Sequence, residues 1–304
     1  MWSIVLKLGD AGSWCDIKIL ILPRLYAIIQ KNKRGVFMNI FLRFPEGRAK
    51  ALTLSYDDGV KQDERFIGIL DKHGLKGTFN INSAYAGCEG RLSVEKMNSL
   101  LEAGGHELAV HGATHPFLEQ LPLALAIDDV LTDRKKLEEE TGKIIRGMAY
   151  PYGTFSDDLA SGLRAIGIAY SRTVISTGNF RLPTDWLKLA ATCHHNDKRL
   201  PELTQHFIND SPNRAPWLFY LWGHSYEFDN NNNWNVIEDF AEKIGGKEDI
   251  WYATNIEIYD YITAYNRLQF SASGSRVHNP SAIKIWFEKN GKAVSVNPGE
   301  TVKI

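Results

Sequence analysis

The sequence predicts an α/β protein, a distorted (β/α)7-8 barrel that carries a short C-terminal β appendage. From residue 49 onward, apolar runs of strand length alternate with amphipathic stretches of helical length. Seven or eight such units follow one another, which is typical of parallel strands joined by crossover helices. In a barrel of this kind the strand ends meet at one rim, so we expect the functional site there.

The elements follow from hydrophobic periodicity and from the residues that start and stop helices. Ser93 and Ser156 are predicted N-caps, and Gly74, Gly105 and Gly142 are predicted to end helices. The predicted strands cover residues 51–56, 77–82, 107–110, 147–150, 169–174, 187–192, 217–222 and 250–253. The predicted helices cover residues 63–73, 93–103, 122–140, 201–208, 234–244 and 255–268, with one more starting after Ser156.

Two further segments flank the barrel, which we predict over residues 38–270. Residues 1–37 form an atypical leader, and we expect that translation in fact starts at Met38. The leader shows no secretory pattern and no membrane-spanning stretch, so a cytoplasmic location is expected. Residues 271–304 are predicted to form a small β-hairpin extension that turns at Asn290-Gly291.

Composition narrows the classes of function. The hydrophobic fraction of 44% and the charged fraction of 23% are ordinary for a soluble globular protein. A net charge of -1 gives no electrostatic reason to expect nucleic acid or an anionic membrane as a partner. Cys15, Cys88 and Cys193 are scattered, which argues against a disulfide framework and against a thiolate metal site. The oligomeric state is left open.

Two neighbouring carboxylates follow the first predicted strand, in the run Tyr56-Asp57-Asp58-Gly59. Adjacent side chains at a strand end point to different sides, so one carboxylate could bind a metal while the other stays free as a base. Taken alone, such a run is more typical of a solvated turn.

His111 and His115 follow another predicted strand, with the spacing that lets two imidazoles reach one metal ion. Because both motifs end strands, Asp58, His111 and His115 are expected to meet as a set of two histidines and one carboxylate. Sets of this type also serve non-haem iron oxygenases. The extra carboxylate of Asp57 favours hydrolysis, since activation of a water beside a metal calls for a base.

With these motifs the chain resembles the polysaccharide deacetylase family, metal-dependent carbohydrate esterases on a distorted barrel, over about residues 40–268. The resemblance implies removal of N- or O-acetyl groups from a small carbohydrate substrate. It also implies Asp57 as catalytic base and Asp58, His111 and His115 as ligands of a divalent metal. Zn2+ is the expected ion, with Co2+, Ni2+ or Mn2+ as alternatives, and no other cofactor is expected.

The later motifs of that family match less completely. The third usually reads Arg-x-Pro-Tyr, but here it is Ala149-Tyr150-Pro151-Tyr152, so its arginine is missing. Arg146 and Arg172 are the candidates to replace that arginine. The resemblance implies that the backbone N–H of Tyr152 stabilises an oxyanion. The second motif has Gly112 where the family often has serine or threonine.

A last motif, an apolar strand that ends in histidine, matches residues 219–224. The resemblance implies His224 as the general acid, with Asp185 as the carboxylate that supports it. His194 and His195 also end a strand, and we interpret them as packing or surface residues.

Three functions therefore stay open. The first is a metal-dependent deacetylase of N-acetylated sugars or oligosaccharides. The second is a related C–N hydrolase that acts on a small non-sugar amide. The third is an inactive carbohydrate-binding relative, against which the complete set of Asp57, Asp58, His111, His115 and His224 argues.

Overall fold

The computed structural model describes residues 39–304, so the predicted leader and the predicted start at Met38 lie outside the described residues. Strands and helices alternate along the chain as predicted. The strands are β1 Ile40–Arg43, β2 Lys50–Asp57, β3 Gly77–Ile81, β4 Glu107–Val110, β5 Gly147–Ala149, β6 Tyr170–Ser176, β7 Leu189–Ala191, β8 Cys193–His194, β9 Trp217–Gly223, β10 Ile250–Tyr252, β11 Gln269–Phe270, β12 Arg276–His278, β13 Ile285–Lys289, β14 Lys292–Val296 and β15 Thr301–Lys303. The helices are α1 Asp63–Lys72, α2 Val94–Gly104, α3 Leu123–Thr141, α4 Asp157–Ala165, α5 Leu200–Asn209, α6 Tyr226–Asn230, α7 Asn235–Ile244 and α8 Asn255–Asn266.

The central sheet is parallel, with the strand order β7-β6-β5-β4-β3-β2-β9-β8. β7 and β8 stand at opposite ends of this strand order, but only Thr192 separates them in the chain. The backbone of Thr192 therefore closes the sheet. Its N–H donates to Tyr220 O (2.8 Å), and its carbonyl accepts from Gly178 N (2.9 Å). The ladder of hydrogen bonds therefore runs round a ring of seven strand positions. β10 adds a partial eighth strand along the start of β2, and the predicted barrel class is confirmed.

The strand register places the carboxyl ends of β2, β3 and β9 side by side in the sheet. All eight residues of β2 are buried, as expected for a strand that is covered on both faces. Asp57 pairs with Asn80 on β3, and Tyr56 pairs with Gly223 on β9. Because all these strands are parallel, the loops that follow them emerge at the same rim.

The predicted helix signals are borne out. The Ser93 hydroxyl accepts from Lys96 N and the Ser156 hydroxyl accepts from Leu159 N, each at 3.1 Å. Gly142 ends α3 in the left-handed conformation, where a residue without Cβ carries no steric cost. Among residues 39–304, no helix is long and apolar enough to cross a membrane.

The C-terminal extension is larger than the predicted hairpin. β13 and β14 do form a hairpin around Asn290-Gly291, but β1 pairs antiparallel with β13 on its other side. β11, β12 and β15 form a second three-stranded sheet. The segment from residue 40 therefore joins the extension before the chain enters the barrel. Apolar residues of β1, β13 and α8 share a second core, which includes Phe44, Tyr261 and Phe287.

We predict that Phe287→Ala lowers the free energy of unfolding by about 3–5 kcal/mol, because the side chain is fully buried in this second core. Urea denaturation followed by circular dichroism measures the loss. Ile144→Ala is the control, since that side chain is 80% exposed and its removal should change the free energy by less than about 0.5 kcal/mol. A Phe287→Ala variant as stable as the control would contradict the packing described here.

Candidate active site

The two carboxylates that follow β2 take different directions because the backbone turns between them. Asp57 is the last residue of the strand and is buried in the barrel. Asp58 has a φ of 85°, and its N–H still donates to Asn80 O (2.8 Å). The Asp58 carboxylate therefore faces the rim, while the Asp57 carboxylate lies deeper.

The residues predicted as metal ligands come together. The ligand atoms of Asp58, His111 and His115 all lie within 4.8 Å of one another. Asp58 Oδ1 is 4.0 Å from His111 Nε2 and 3.8 Å from His115 Nε2. Arg91, which the sequence analysis did not single out, lies 3.5 Å from the same Asp58 oxygen.

His111 is oriented as a ligand. Its Nδ1 lies 2.8 Å from the carbonyl oxygen of Ala149, an acceptor, so the imidazole proton is assigned to Nδ1 and the Nε2 lone pair faces Asp58. Burial lowers the pKa of His111, which favours the neutral form that a metal requires. The Asp133 carboxylate accepts from His111 N (2.9 Å) and fixes the backbone of the loop.

Backbone strain is concentrated here. Six non-glycine residues between 39 and 304 have positive φ, and three of them are Asp58, His115 and Tyr152. Such conformations persist only where the surrounding structure over-determines them, and they cluster at functional sites. Gly112 also has a φ of 73°, and a Cβ there would lie 3.1 Å from both Asp129 and Pro151. The local backbone thus explains why glycine replaces the serine or threonine that is frequent in the family.

Arg172 on β6 is the cation beside Asp57. Its guanidinium donates to Asp57 Oδ2, and Asn80 Nδ2 donates to Oδ1 of the same carboxylate (2.8 Å). Burial raises the pKa of Asp57, but the charges of Arg172, His111 and His224 outweigh it and lower the pKa to about 2. The carboxylate is therefore ionised at neutral pH.

The register explains how Arg172 reaches that position. Ala149, where the family motif has its arginine, pairs with Arg172 in the parallel ladder of β5 and β6. Side chains that pair in this way share a face of the sheet, so the arginine lies one strand away at the same level. Arg146, the other candidate, forms a two-pronged ion pair with Asp260 (2.6 and 3.0 Å). Between the two, only Arg172 contacts Asp57.

His224 follows β9 and faces Asp57, with 3.8 Å between its Nε2 and Asp57 Oδ2. Its Nδ1 bonds Glu227 Oε1 at 2.7 Å. The predicted support from Asp185 is wrong in this geometry, because that carboxylate accepts from Leu187 N (3.0 Å) in the turn before β7. The sequence does contain a signal for this contact. His224 and Glu227 are three positions apart, a spacing that a helical turn after β9 brings together.

Three imidazoles lie against the Glu227 carboxylate, those of His194, His195 and His224. His194 Nε2 lies 3.4 Å from Oε1 and His195 Nε2 lies 3.3 Å from Oε2, and Asn196 donates a further hydrogen bond to Oε2 (2.6 Å). Burial raises the pKa of Glu227, but the hydrogen bonds from His194, His195 and His224 hold it well below its usual range. His194 and His195 are therefore partners of this carboxylate, beyond the packing role expected from the sequence.

The cluster around Glu227 has the composition of a second metal site, with His194 and His195. The hydrogen bonds argue otherwise. The N–H of Asn196 donates to His194 Nδ1 (3.1 Å), which leaves the proton of a neutral imidazole on Nε2, facing the carboxylate. A ligating imidazole needs a lone pair at that atom. His194 therefore faces Glu227 as a donor and not as a metal ligand, and the hydrogen bond between Glu227 and His224 Nδ1 (2.7 Å) orients His224.

The donor set of Asp58, His111 and His115 fits a divalent cation, in contrast. Its lone pairs converge, one imidazole is fixed in the correct tautomer, and the backbone holds two of the three ligands in strained conformations. Tyr152 lies beside this set at the start of the turn after β5, with its ring 4.5 Å from that of His115. Tyr152 has a φ of 58°, so it does not continue a helix, and the turn is closed by Gly153 N, which donates to Tyr150 O (2.9 Å).

Comparison with known proteins finds similarity over the first half of the described residues. Residues 45–171 match the family model of polysaccharide deacetylases. The chitooligosaccharide deacetylase of Bradyrhizobium sp. (strain ANU 289) is 26% identical over 142 residues, which are 46% of this chain and 60% of that relative. The chain thus matches less than two thirds of the length of that protein.

A solved structure shares the fold over a longer stretch. A Mycobacterium smegmatis protein assigned as a polysaccharide deacetylase matches 74% of this chain and 93% of its own, with a TM-score of 0.56 and 18% identity. At this identity the likeness concerns the fold, which extends beyond the residues that the family model matches. The sequence match to the polysaccharide deacetylase family thus covers residues 45–171.

Proposed function

We propose that the protein is a metal-dependent hydrolase that removes acetyl groups from N-acetylated sugars or oligosaccharides. The observation that carries the proposal is the position of Asp57, an ionised carboxylate outside the ligand set. Its Oδ2 lies 3.8 Å from His111 Nε2 and 3.8 Å from His224 Nε2, between the ligands and a second titratable group. A binding protein without catalysis has no use for such a base.

The ligands Asp58, His111 and His115 would hold the metal. A divalent cation in this position supplies polarisation of the acetyl carbonyl and a water of lowered pKa. Nitrogen and oxygen ligands suit Zn2+, and Co2+, Ni2+ and Mn2+ accept the same donors.

The remaining residues divide the proton transfers between them. Asp57, held by Arg172 and Asn80, accepts the proton of the attacking water. His224 donates a proton to the departing nitrogen, and Glu227 keeps its Nε2 turned toward the reacting groups. The Tyr152 amide donates a hydrogen bond to the oxygen that becomes negative as the water attacks.

The sugar substrate is supported by the family match and by the activity named for the Bradyrhizobium relative. We predict that the protein releases acetate from N-acetylglucosamine oligomers, that chelation stops the reaction, and that Zn2+ or Co2+ restores it. Asp57→Asn should lower kcat by about 10²–10⁴-fold, because the base is lost, while the bound metal measured by atomic absorption stays the same. Normal turnover by that variant would contradict the assignment of Asp57.

Arg172 should be needed for turnover, whereas Arg146 should not. Arg172→Met leaves a buried carboxylate without its cation, so we predict a loss in kcat of about 10²-fold or more. Arg146→Met removes a half-exposed ion pair and should leave kcat unchanged. Acetate release measures both, with circular dichroism as a check on folding.

A double variant tests whether the positive charge beside Asp57 can be supplied from β5 instead of β6. Ala149→Arg combined with Arg172→Ala moves the arginine to the neighbouring strand at the same level, and should recover part of the activity that Arg172→Ala loses. Equal activity of Arg172→Met and Arg146→Met would show that the cation beside Asp57 is dispensable.

The pH profile should depend on Glu227. Burial lowers the pKa of His224, but the bond to Glu227 and the nearby aspartates raise it above its ordinary value overall. A general acid acts in its protonated form, so kcat/KM should fall as the pH rises through that pKa. Glu227→Gln removes the negative charge and should move this fall to lower pH by about one unit. Asp185→Asn is the control, and a shift in that variant instead would favour Asp185 as the support.

A further inference from the structure

Two carboxylates of α3, Asp129 and Asp133, lie behind the loop that carries the predicted metal ligands His111 and His115. They are four positions apart on the helix, so they share one of its faces. Asp133 is fully buried and Asp129 is half-buried. A carboxylate removed from water is unfavourable unless hydrogen bonds replace those to water, so the partners of these two indicate what they do.

Asp133 uses both of its oxygens as acceptors. Its Oδ2 accepts from His111 N (2.9 Å), and its Oδ1 accepts from Ser83 N (2.7 Å). His111 directly follows β4, and Ser83 lies two residues beyond the end of β3. One carboxylate therefore joins the loops that leave two neighbouring strands of the sheet.

Asp129 uses a single oxygen. Its Oδ2 accepts from Thr114 N (3.2 Å) and from Thr114 Oγ1 (2.7 Å). Its Oδ1 is buried without a hydrogen-bond partner among the described residues, and a Cβ at Gly112 would lie 3.1 Å from it. Asp129 therefore holds the loop directly before His115, while Asp133 holds its start.

The loop depends on such outside contacts for its shape. Gly112 and His115 have φ values of 73° and 52°, so the segment between the two histidines follows no regular secondary structure. Asn82 Nδ2 donates to His111 O (2.7 Å) and to Gly112 O (2.8 Å), which holds the carbonyl groups from the other side. A strained backbone of this kind persists only where its surroundings fix it.

We propose that Asp129 and Asp133 are positioning residues that set the metal affinity of the site, because they fix the loop from His111 to His115. This rests on the metal site of the proposed function. Two imidazoles bind one ion tightly only if their lone pairs already converge, and a shift of the backbone at either end of the loop would separate them. Groups that orient metal ligands typically change the affinity by about 10–100-fold when they are altered.

Asparagine gives a matched test, because the two aspartates use their oxygens differently. In Asp133→Asn an NH2 group replaces one acceptor and faces a backbone N–H, so two donors meet and the loop is displaced. The dissociation constant for Zn2+, measured by competition with a chromophoric chelator, should rise by about 10–100-fold. Measurement at pH 8 keeps the wild-type carboxylate ionised, since burial raises the pKa of Asp133 to about 7.

At Asp129 the conservative variant should rescue the loss. Asp129→Ala removes the acceptor of Thr114 and should raise the Zn2+ dissociation constant by about tenfold or more. Asp129→Asn keeps one oxygen for Thr114, and its NH2 group takes the place of the oxygen that has no partner, so its affinity should stay close to that of the wild type. If circular dichroism shows that Asp133→Asn does not fold, the comparison of these two variants decides.

Two controls separate positioning from stability. Phe287→Ala is destabilised in the second core, away from the loop, and should bind Zn2+ as the wild type does. Asp128→Asn changes an exposed carboxylate on the same helix and should also bind normally. Unchanged affinity in both Asp133→Asn and Asp129→Ala would overturn the proposal, and so would an equal loss in Phe287→Ala.

Acetate release separates this proposal from the proposed function. A wild-type protein that binds Zn2+ but releases no acetate from N-acetylglucosamine oligomers would contradict the deacetylase, and the dissociation constants alone would then decide the role of Asp129 and Asp133. Acetate release by a protein whose Asp133→Asn and Asp129→Ala variants bind Zn2+ normally would support the deacetylase and overturn the positioning role. A wild-type protein that binds no Zn2+ would overturn both.

Discussion

The ion pair between Asp57 and Arg172 is the interaction on which the rest of the site depends. Both side chains are removed from water inside the barrel, where a single unpaired charge would be strongly unfavourable. Trp222 lies against the guanidinium, 4.5 Å from its carbon to the ring centroid, and Asn80 occupies the second carboxylate oxygen. The pair thus connects β2, β3, β6 and β9 across the barrel. The negative charge of Asp57 exists at neutral pH because this arrangement holds it.

The same ion pair sets the positions of the neighbouring groups. Asp58 must turn away from Asp57, and its positive φ is the backbone expression of that turn. His111 and His224 approach Asp57 from two sides, each with its far nitrogen bonded to an acceptor, Ala149 O in one case and Glu227 in the other. Both imidazoles therefore present Nε2 to Asp57, at 3.8 Å from its Oδ2. In the proposed mechanism, the acceptors behind them, a neutral carbonyl and a carboxylate, suit His111 to bind a metal and His224 to hold a proton.

The sequence predicted the parts of this site that depend on local spacing. Asp57, Asp58, His111 and His115 follow their strands directly, and strand ends in a parallel barrel meet whatever the details of the packing. The contacts of Arg172 and Glu227, in contrast, depend on how separate elements of the fold are placed, which local spacing does not predict. Arg172 was one of two candidates, and only the register of β5 with β6 separates it from Arg146. The contact of Glu227 depends on a short helix after β9, whereas the family resemblance points to Asp185, whose carboxylate accepts from Leu187 N in a turn.

The pairing of β1 with β13 has a consequence for how the chain is made. Arg43 and Glu288, whose side chains form a salt bridge at 2.6 Å, are separated by 245 positions. During synthesis, β1 emerges among the first described residues, yet its partner strand is among the last. Until then, Ile40 and Leu42 lie on an unpaired edge that other strands could join. The order of synthesis thus leaves the earliest described strand dependent on the final hairpin for its protection from aggregation.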